Sequence, residues 1–439
     1  MDTVVAIASG RLNGVVEGGV VAFRGIPYAA SPVGDRRFAA PVAPPNWSGV
    51  RDASRSGPAV PQGPSRLAAV MGARTPDWNE DGCLTLNVWT PRLGAAGLPV
   101  LVWFHGGGFS SGSGGWDWYD GGNLAAGGEI VVVTANYRLG PLGYLHLPES
   151  GVDNLGVRDQ AAALDWVRRE IAAFGGDPDS VTVGGQSAGA FSAVYLAADP
   201  VNGPHVAGVI SQSGPFGLVP QDPEVAADHT RRYLDLLGVT SGTDVLAALR
   251  ALPVERLLEA YRWLARDLAG IGGVAPPMYP VLGGAGMSTT WQDALADGRL
   301  AGKRLLAGTT RDEMSSFFSF DPRIRALTEA ETELVFRDGT LAIADHQAAA
   351  GETTYVYQFD RAPGEDPARL GATHCADLPF FFNTVDAYPH SPMLGEVTGD
   401  VRALARTFSG AVGSFVAGGP VEWAPYEAGN LATVRHVGA

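Results

Sequence analysis

The sequence is poor in cysteine and in positive charge. Only Cys83 and Cys375 occur among 439 residues, too few for a disulfide-rich scaffold or a four-cysteine metal site. Lys and Arg number 31 against 46 Asp and Glu, which gives a net charge of −15. Because nucleic-acid affinity comes largely from Lys and Arg that displace counterions, this balance argues against a nucleic-acid partner.

Long apolar runs are also absent. Stretches such as 99–104 and 130–133 have the length of strands, whereas a membrane-spanning helix needs about 20 apolar residues. We therefore expect no membrane span. The N-terminus begins Met1-Asp2-Thr3 and shows neither the basic region nor the apolar stretch of a signal peptide. Together with the few cysteines, this predicts a cytoplasmic protein.

The order of segments predicts an α/β architecture. Residues 25–62 are dense in Pro, Gly and Ser and predict an ordered lead-in of short strands joined by turns. From Thr85 onward, strand-like runs alternate with helical runs. These runs are 85–90, 99–104, 129–136, 160–174, 180–184 and 188–198. Such alternation is typical of a mostly parallel central sheet flanked by helices.

A block of helical periodicity follows at 223–269 before strand signals resume at 303–308 and 353–359. No flexible linker or internal repeat of fixed period separates these parts. We interpret the chain as a single domain, 1–439, with a helical cap inserted at approximately 220–300.

The strongest motif is Gly185-Gln186-Ser187-Ala188-Gly189. It follows the strand-like run 181–184 and precedes an Ala-rich helical run. In that context G-x-S-x-G is typical of the nucleophile elbow of the α/β-hydrolase fold, where a sharp turn exposes the serine hydroxyl. The pentapeptide alone is also compatible with an ordinary Gly-Ser turn, but the flanking strand and helix favour a catalytic Ser187.

A glycine-rich loop, His105-Gly106-Gly107-Gly108-Phe109, follows another strand-like run. Consecutive glycines allow backbone N–H groups to converge on one point, as an oxyanion on a tetrahedral intermediate requires. We assign the N–H donors to Gly107, Gly108 and Ala188. A phosphate-binding loop is the alternative, but neither the dinucleotide fingerprint nor the G-x-x-x-x-G-K-[ST] pattern follows.

A serine nucleophile needs a general base, and the base needs an acid that orients it. In this fold the chain order is nucleophile, acid, base. The run 303–308 is followed by Asp312 and Glu313, and either carboxylate could be the acid. His374 is the first histidine after the run 353–359 and is the best-placed base. The other late histidines, His346, His390 and His436, fit solvated or structural roles.

Framework motifs extend the pattern over most of the chain. They are 23–29 (FRGIPYA), 80–81 (ED), 83–89 (CLTLNVW), 154–156 (NLG), 159–160 (DQ), 174–178 (FGGDP) and 212–214 (QSG). With these motifs the sequence resembles the type-B carboxylesterase and lipase family, which includes the cholinesterases and bacterial carboxylesterases.

The resemblance implies an α/β-hydrolase that acts as a serine carboxylesterase on small-molecule esters through an acyl-enzyme. It implies Ser187 as nucleophile, Glu313 rather than Asp312 as acid and His374 as base. It also supports the donors named above and makes Ser213 similar to a buried serine near the triad. No metal or organic cofactor is implied, and the oligomeric state stays open between monomer and dimer.

Three positions and one segment depart from the family pattern. Gln186 stands where Glu is usual, which weakens any case for a cationic, choline-like substrate. Met314 replaces the glycine that usually follows the acid. Val60 replaces the cysteine that secreted relatives pair with the one matching Cys83, so that disulfide is not expected. The stretch 320–353 is shorter than in most relatives, which predicts a more open pocket.

The same scaffold supports several activities. A lipase, an amidase or a carbamate hydrolase on the same scaffold remains an alternative, as does a non-catalytic binding protein, although the intact Ser, Glu and His set argues against the latter. Cys375, beside the predicted base, is interpreted as a small buried filler rather than a reactive thiol. The candidate pocket aromatics are Trp263, Tyr279, Phe317, Phe318 and Phe381.

Overall fold

A large mixed β-sheet runs through the protein, and helices cover both of its faces. The computed structural model describes residues 3–439 except 73–76, 240–243, 270–273, 319, 320, 322 and 324. The strands in this part of the chain are β1 (Val4–Ile7), β2 (Gly10–Asn13), β3 (Val15–Glu17), β4 (Val20–Pro27), β5 (Val50–Asp52), β6 (Thr85–Thr90), β7 (Leu98–Phe104), β8 (Val131–Ala135), β9 (Gly176–Gln186), β10 (Gly208–Gln212), β11 (Arg304–Thr310), β12 (Thr354–Phe359) and β13 (Arg435–Val437).

The main sheet is parallel except at one end. Its order over the described residues is β13-β12-β11-β10-β9-β7-β8-β6-β4-β3. The strands from β13 to β8 pair in parallel, whereas β6, β4 and β3 pair antiparallel. A small separate sheet contains β1, β2 and β5. The predicted, mostly parallel central sheet is therefore present.

Helices connect these strands and fill the region between β10 and β11. The α-helices of the described residues are α1 (Ala68–Met71), α2 (Gly122–Gly128), α3 (Gly140–Tyr144), α4 (Leu155–Glu170), α5 (Ala188–Ala198), α6 (Pro223–Leu237), α7 (Val245–Ala251), α8 (Val254–Asp267), α9 (Trp291–Ala296), α10 (Ser315–Phe318), α11 (Thr328–Thr332), α12 (Asp338–Ala349), α13 (Leu378–Phe381) and α14 (Gly399–Val416).

The hydrophobic core has two layers, one on each face of the sheet. Side chains of a strand point alternately to opposite faces, and in β7 Val100 and Val102 join one layer while Leu101 and Trp103 join the other. Helices α4 and α5 pack in the first layer, and α2 and α14 pack in the second. Burial on both faces explains why the parallel strands are apolar runs rather than alternating ones.

The sequence predicted some element bounds inaccurately. Strand β9 begins at Gly176 rather than near 180, because pairing with β7 starts there. The strand therefore includes polar residues before 180 that the apolar pattern did not assign to it. The helix predicted at 160–174 begins at Leu155 and ends in a 3₁₀ turn at Ile171–Phe174. The lead-in contains little regular structure after Pro27, because its many prolines lack a backbone N–H for pairing.

Helices α6, α7, α8 and α9 occupy the segment predicted as a cap. Helix α8 buries Leu257 and Leu264, and the Tyr233 hydroxyl of α6 donates to the Leu257 carbonyl at 3.0 Å. Residues 240–243 and 270–273 of this segment lie outside the described part. That the segment acts as a cap stays a prediction.

The topology brings the carboxyl ends of several strands to one edge of the sheet. Strands β7, β9, β10, β11 and β12 are parallel neighbours. They end at Phe104, Gln186, Gln212, Thr310 and Phe359. Functional residues of open parallel sheets lie at this edge, and the loops that follow these ends carry the predicted site residues.

The described residues contain neither a helix able to span a membrane nor a cluster of metal-binding side chains. None of their helices combines the length and the apolar character needed to cross a bilayer. Their His, Cys, Asp and Glu side chains form no group of three or more that could hold a metal ion.

A buried ion pair anchors α4 to the loop after β8. The Arg138 guanidinium donates to both carboxylate oxygens of Asp159 at 2.7 Å, and the Arg138 N–H donates to the same group at 3.0 Å. We expect Asp159→Asn to lower the free energy of unfolding by about 3–5 kcal/mol, because it leaves a buried guanidinium without its counter-charge. Urea denaturation followed by circular dichroism measures the change.

Asp165→Asn is the matched control on the same helix. Asp165 is 46% exposed in its side chain and pairs with Arg168 and Arg169. Exposed pairs of this kind contribute about 0.5 kcal/mol or less. Equal destabilisation by the two substitutions would contradict the role given to the buried pair.

Candidate active site

Ser187 lies on a sharp turn between β9 and α5. Its backbone has φ 56° and ψ −122°, an uncommon conformation for a residue with a side chain. The turn requires small neighbours, since a Cβ on Gly189 would lie 1.9 Å from the Phe104 carbonyl oxygen and one on Gly185 would lie 2.2 Å from Gly189. The Ser187 N–H donates to the Gln212 carbonyl at 2.8 Å, which joins the turn to β10.

His374 and Glu313 are in direct contact. His374 Nδ1 lies 2.5 Å from Glu313 Oε2, and both residues are buried. The Thr310 N–H donates to Glu313 Oε1 at 2.8 Å, and the His374 N–H donates to the Glu313 carbonyl at 3.3 Å. The carboxylate is therefore fixed at both oxygens, and the imidazole is fixed at its Nδ1 side.

Asp312, the other carboxylate that the sequence offered, contacts different groups. Its Oδ2 pairs with Arg311 at 2.8 Å and accepts from the Ala372 N–H at 2.8 Å. Asp312 thus fixes the loop that carries His374 but does not contact the imidazole. Of the two carboxylates, Glu313 is the one that bonds to His374.

The environment changes the basicity of His374. Burial lowers its pKa, whereas the Cys375 thiol and the Glu313 carboxylate raise it, and the balance lies above the ordinary value of 6.5. An imidazole with a raised pKa is a stronger base once it is neutral. The neutral form, which can take a proton, is favoured only on the alkaline side of that pKa.

Gln186 is a contact that the sequence did not predict. Its Nε2 lies 3.0 Å from His374 Nε2. With the Nδ1 proton held by Glu313, the Nε2 lone pair accepts from the amide of Gln186. In the sequence, Gln186 differs from the family pattern only in lacking the carboxylate of the usual Glu. Nothing in the sequence indicates that it contacts His374.

The glycine loop lies beside Ser187 and forms part of a cavity. Gly107 has φ 116°, and a Cβ there would lie 2.0 Å from the Ser111 carbonyl oxygen, so only glycine fits. The Tyr137 hydroxyl donates to the His105 carbonyl at 2.6 Å and holds the start of the loop. The cavity has a volume of about 540 Å³ including its open mouth, and Gly107, Gly108, Ser187 and His374 all line it.

The five candidate pocket aromatics have different locations. Phe317 lines the cavity, whereas Trp263 is 52% exposed on α8. Phe318 and Phe381 are buried in the core. Tyr279 stacks on Phe109 with 6.5 Å between ring centroids.

Other aromatics line the cavity without having been singled out by the sequence. They are Trp116, Trp118 and Tyr119, which lie shortly after the glycine loop. Because they follow the glycine loop closely in sequence, that position could have identified them as candidates for the cavity lining.

Cys375, next to His374 in the chain, and two other polar residues are buried. Cys375 is buried and lines the cavity, and its interpretation as a small buried filler stays a prediction. Neither Cys83 nor Cys375 forms a disulfide. Ser213 is fully buried. Asp377 is also buried, accepts from the Tyr357 hydroxyl at 2.9 Å, and burial raises the pKa of its carboxyl to about 6.

The remaining late histidines are not among the cavity residues. His436 Nδ1 lies 2.6 Å from Asp360 Oδ2, His346 belongs to α12, and His390 is exposed. Among His346, His374, His390 and His436, His374 is the one that lines the same cavity as Ser187.

The chain is similar to proteins of a known family. A model of the Carboxylesterase family matches residues 1–331, which is well over half of the 439 residues. The chain belongs to the carboxylesterase family. It is a carboxylic ester hydrolase, so the alternative of a non-catalytic binding protein is set aside.

Individual relatives match nearly the whole chain. The para-nitrobenzyl esterase of Bacillus subtilis is 36% identical, over 96% of this chain and 92% of its own. The phenmedipham hydrolase of Pseudarthrobacter oxydans is 35% identical, over 90% and 85% of the two chains. A solved structure of a thermophilic PNB esterase is 35% identical with a TM-score of 0.85, over 97% and 94% of the two chains. These similarities confirm the predicted α/β-hydrolase fold.

Proposed function

We propose that this carboxylesterase acts through Ser187 as nucleophile, His374 as general base and Glu313 as the acid that orients the base. The observation that carries the proposal is the 2.5 Å contact of His374 with Glu313 at a cavity that Ser187 also lines. A serine hydroxyl is a weak nucleophile unless a base removes its proton. The three residues supply the nucleophile, the base and the orienting group in the chain order of this fold.

In the first half of the reaction, Ser187 Oγ attacks the ester carbonyl carbon while His374 Nε2 takes the hydroxyl proton. The Gln186 amide, 3.0 Å from that nitrogen, has to give way to the hydroxyl at this step. The new imidazolium is stabilised by the carboxylate of Glu313. Negative charge develops on the carbonyl oxygen, and the N–H groups of Gly107, Gly108 and Ala188 hold it.

The first half ends when His374 donates its proton to the departing alcohol, which leaves the acyl group on Ser187. A water molecule then attacks the acyl carbon, and His374 accepts the proton of that water. Collapse of the second tetrahedral intermediate releases the carboxylic acid and returns the proton to Ser187. Every proton that moves in this scheme passes through His374.

Small-molecule esters are the proposed substrates. The para-nitrobenzyl esterase of Bacillus subtilis, which matches 96% of this chain, supports that proposal. Aromatic side chains line the cavity beside Ser187, and aromatic and apolar linings are typical of small-molecule sites. Because its two cysteines are buried and unpaired, we also propose that the protein works in a reducing compartment such as the cytoplasm.

A covalent probe tests the assignment of the nucleophile. We expect a fluorophosphonate to label the protein once per chain and to abolish ester hydrolysis, with the modified peptide containing Ser187. Peptide mapping by mass spectrometry identifies the labelled serine, and heat-unfolded protein is the control for non-specific reaction. Labelling at another serine, with Ser187 unmodified, would overturn the assignment.

A further inference from the structure

The cavity beside Ser187 differs in charge from the rest of the protein. The chain has a net charge of −15, yet no aspartate or glutamate is among the described residues that line this cavity. Arg66 is on the lining and carries a permanent positive charge. Gln186, also on the lining, is neutral. A negatively charged substrate group would therefore meet attraction here, and no lining carboxylate would repel it.

The position of the Arg66 guanidinium is set by three contacts. Its Nη1 and Nη2 each donate to the Val274 carbonyl at 3.0 Å. Its Cζ lies 5.8 Å from the centroid of the Phe317 ring. A Cβ built on Gly108 would lie 2.9 Å from Nη2, so the cation sits against the glycine loop. The charge is thus held next to the proposed oxyanion donors.

Arg66 has no acidic partner in the described part of the chain. Other arginines do pair, as Arg311 does with Asp312 and Arg402 does with Asp386. No described carboxylate lies within the 4.0 Å that defines an ion pair around Arg66. A guanidinium has five N–H donors, and the Val274 carbonyl engages two of them. Donors therefore remain for a group that enters the cavity.

We propose that Arg66 makes this enzyme selective for esters that carry a carboxylate. The inference rests on the proposed function, since it places the bound ester at Ser187. Guanidinium and carboxylate form charge-assisted, often bidentate hydrogen bonds. Arg66 is exposed to solvent, so a substrate carboxylate can reach the N–H groups that the Val274 carbonyl does not engage.

The competing explanation is that Arg66 has only a structural role. Its hydrogen bonds to the Val274 carbonyl would then link that segment to the loop before α1. In that case loss of the guanidinium would change the turnover of neutral and anionic esters by the same factor. The ratio of kcat/KM for an anionic ester to that for a matched neutral ester separates the two explanations. That ratio does not respond to a uniform loss of active protein.

Two substrate pairs locate the carboxylate. Mono-4-nitrophenyl glutarate against 4-nitrophenyl pentanoate tests the acyl side, and 4-acetoxybenzoate against its methyl ester tests the alcohol side. We expect Arg66→Gln to lower the anionic-to-neutral ratio by about 10- to 100-fold in one pair, the loss typical of a hydrogen bond to a charged group. Arg66→Lys keeps the positive charge but loses the planar, bidentate donor arrangement of the guanidinium. We therefore expect it to lower the anionic-to-neutral ratio less than Arg66→Gln does.

Arg406→Gln is the matched control. Arg406 is exposed on α14 and its loss changes the net charge by the same amount, so its ratio should stay within about 2-fold of the parent enzyme. An unchanged ratio in Arg66→Gln for both pairs, with neutral esters still hydrolysed through Ser187, would overturn the inference and leave the proposed function intact. Neutral ester hydrolysis that survives Ser187→Ala would instead remove the proposed function itself.

Discussion

Replacing Ser187 with alanine is expected to lower kcat/KM for a neutral ester such as 4-nitrophenyl butyrate by about 10⁴- to 10⁶-fold. The substitution removes the oxygen that forms the acyl-enzyme, and neither His374 nor the backbone donors can replace it. Alanine keeps the Cβ, so it leaves the turn at φ 56° under the same steric conditions. Initial-rate kinetics, with the protein concentration checked by absorbance, measure the loss.

Ser211→Ala is the control for this experiment. Ser211 is a buried serine of β10 whose Oγ has no hydrogen-bond partner among the described residues. Its removal should change kcat/KM by no more than about 10-fold. Both variants should show the circular dichroism spectrum of the parent protein. Near-normal turnover by a folded Ser187→Ala variant would exclude Ser187 as the nucleophile.

Replacing Glu313 with glutamine is expected to lower kcat by about 10³- to 10⁴-fold. The amide keeps the size of the side chain but removes the charge that stabilises the imidazolium, and it permits the wrong histidine tautomer. Asp312→Asn is the direct comparison, because Asp312 pairs with Arg311 rather than with His374. Steady-state kinetics of both variants decide between them, and a larger loss in Asp312→Asn would transfer the role to that residue.

The pH dependence of the Glu313→Gln variant gives a second measurement. The balance of burial, Cys375 and Glu313 raises the pKa of His374 above 6.5, and the base works only when neutral. The kcat/KM of the parent enzyme should therefore rise with pH through a midpoint above 6.5. Without the carboxylate that favours the imidazolium, the pKa falls and the midpoint should move to lower pH. A midpoint that moves upward would contradict the role of Glu313.

Most of the candidate site could be predicted from the sequence because its residues sit in short local motifs. The elbow around Ser187 depends on glycines that one strand-to-helix turn requires, and the oxyanion loop depends on glycines that follow one strand. Each motif is contiguous in sequence, so neighbouring residues determine its backbone geometry. The base required more, since His374 is 187 positions from Ser187 and was chosen by chain order and by resemblance.

The charge environment of the site could not be predicted in the same way. Gln186 contacts His374 across 188 positions, and Arg66 reaches the Val274 carbonyl across 208 positions. Such contacts depend on side-chain directions and on the packing of loops, which carry no periodic signal. The candidate aromatics show the same limit, because Phe317 lines the cavity while Phe381 lies in the core.

The sequence by itself determined the fold class, the family and the small set of residues from which a catalytic serine, acid and base could be chosen. These follow from local hydrophobic patterns and from turns that only glycine can form. Only the tertiary structure showed the contact of Glu313 with His374, the bond of Gln186 to the imidazole and, among the described residues, an Arg66 without an acidic partner at the glycine loop. The reason is physical: hydrogen bonds and charge interactions depend on distances of a few ångströms, and those distances are set when parallel strands bring remote loops to one edge of the sheet.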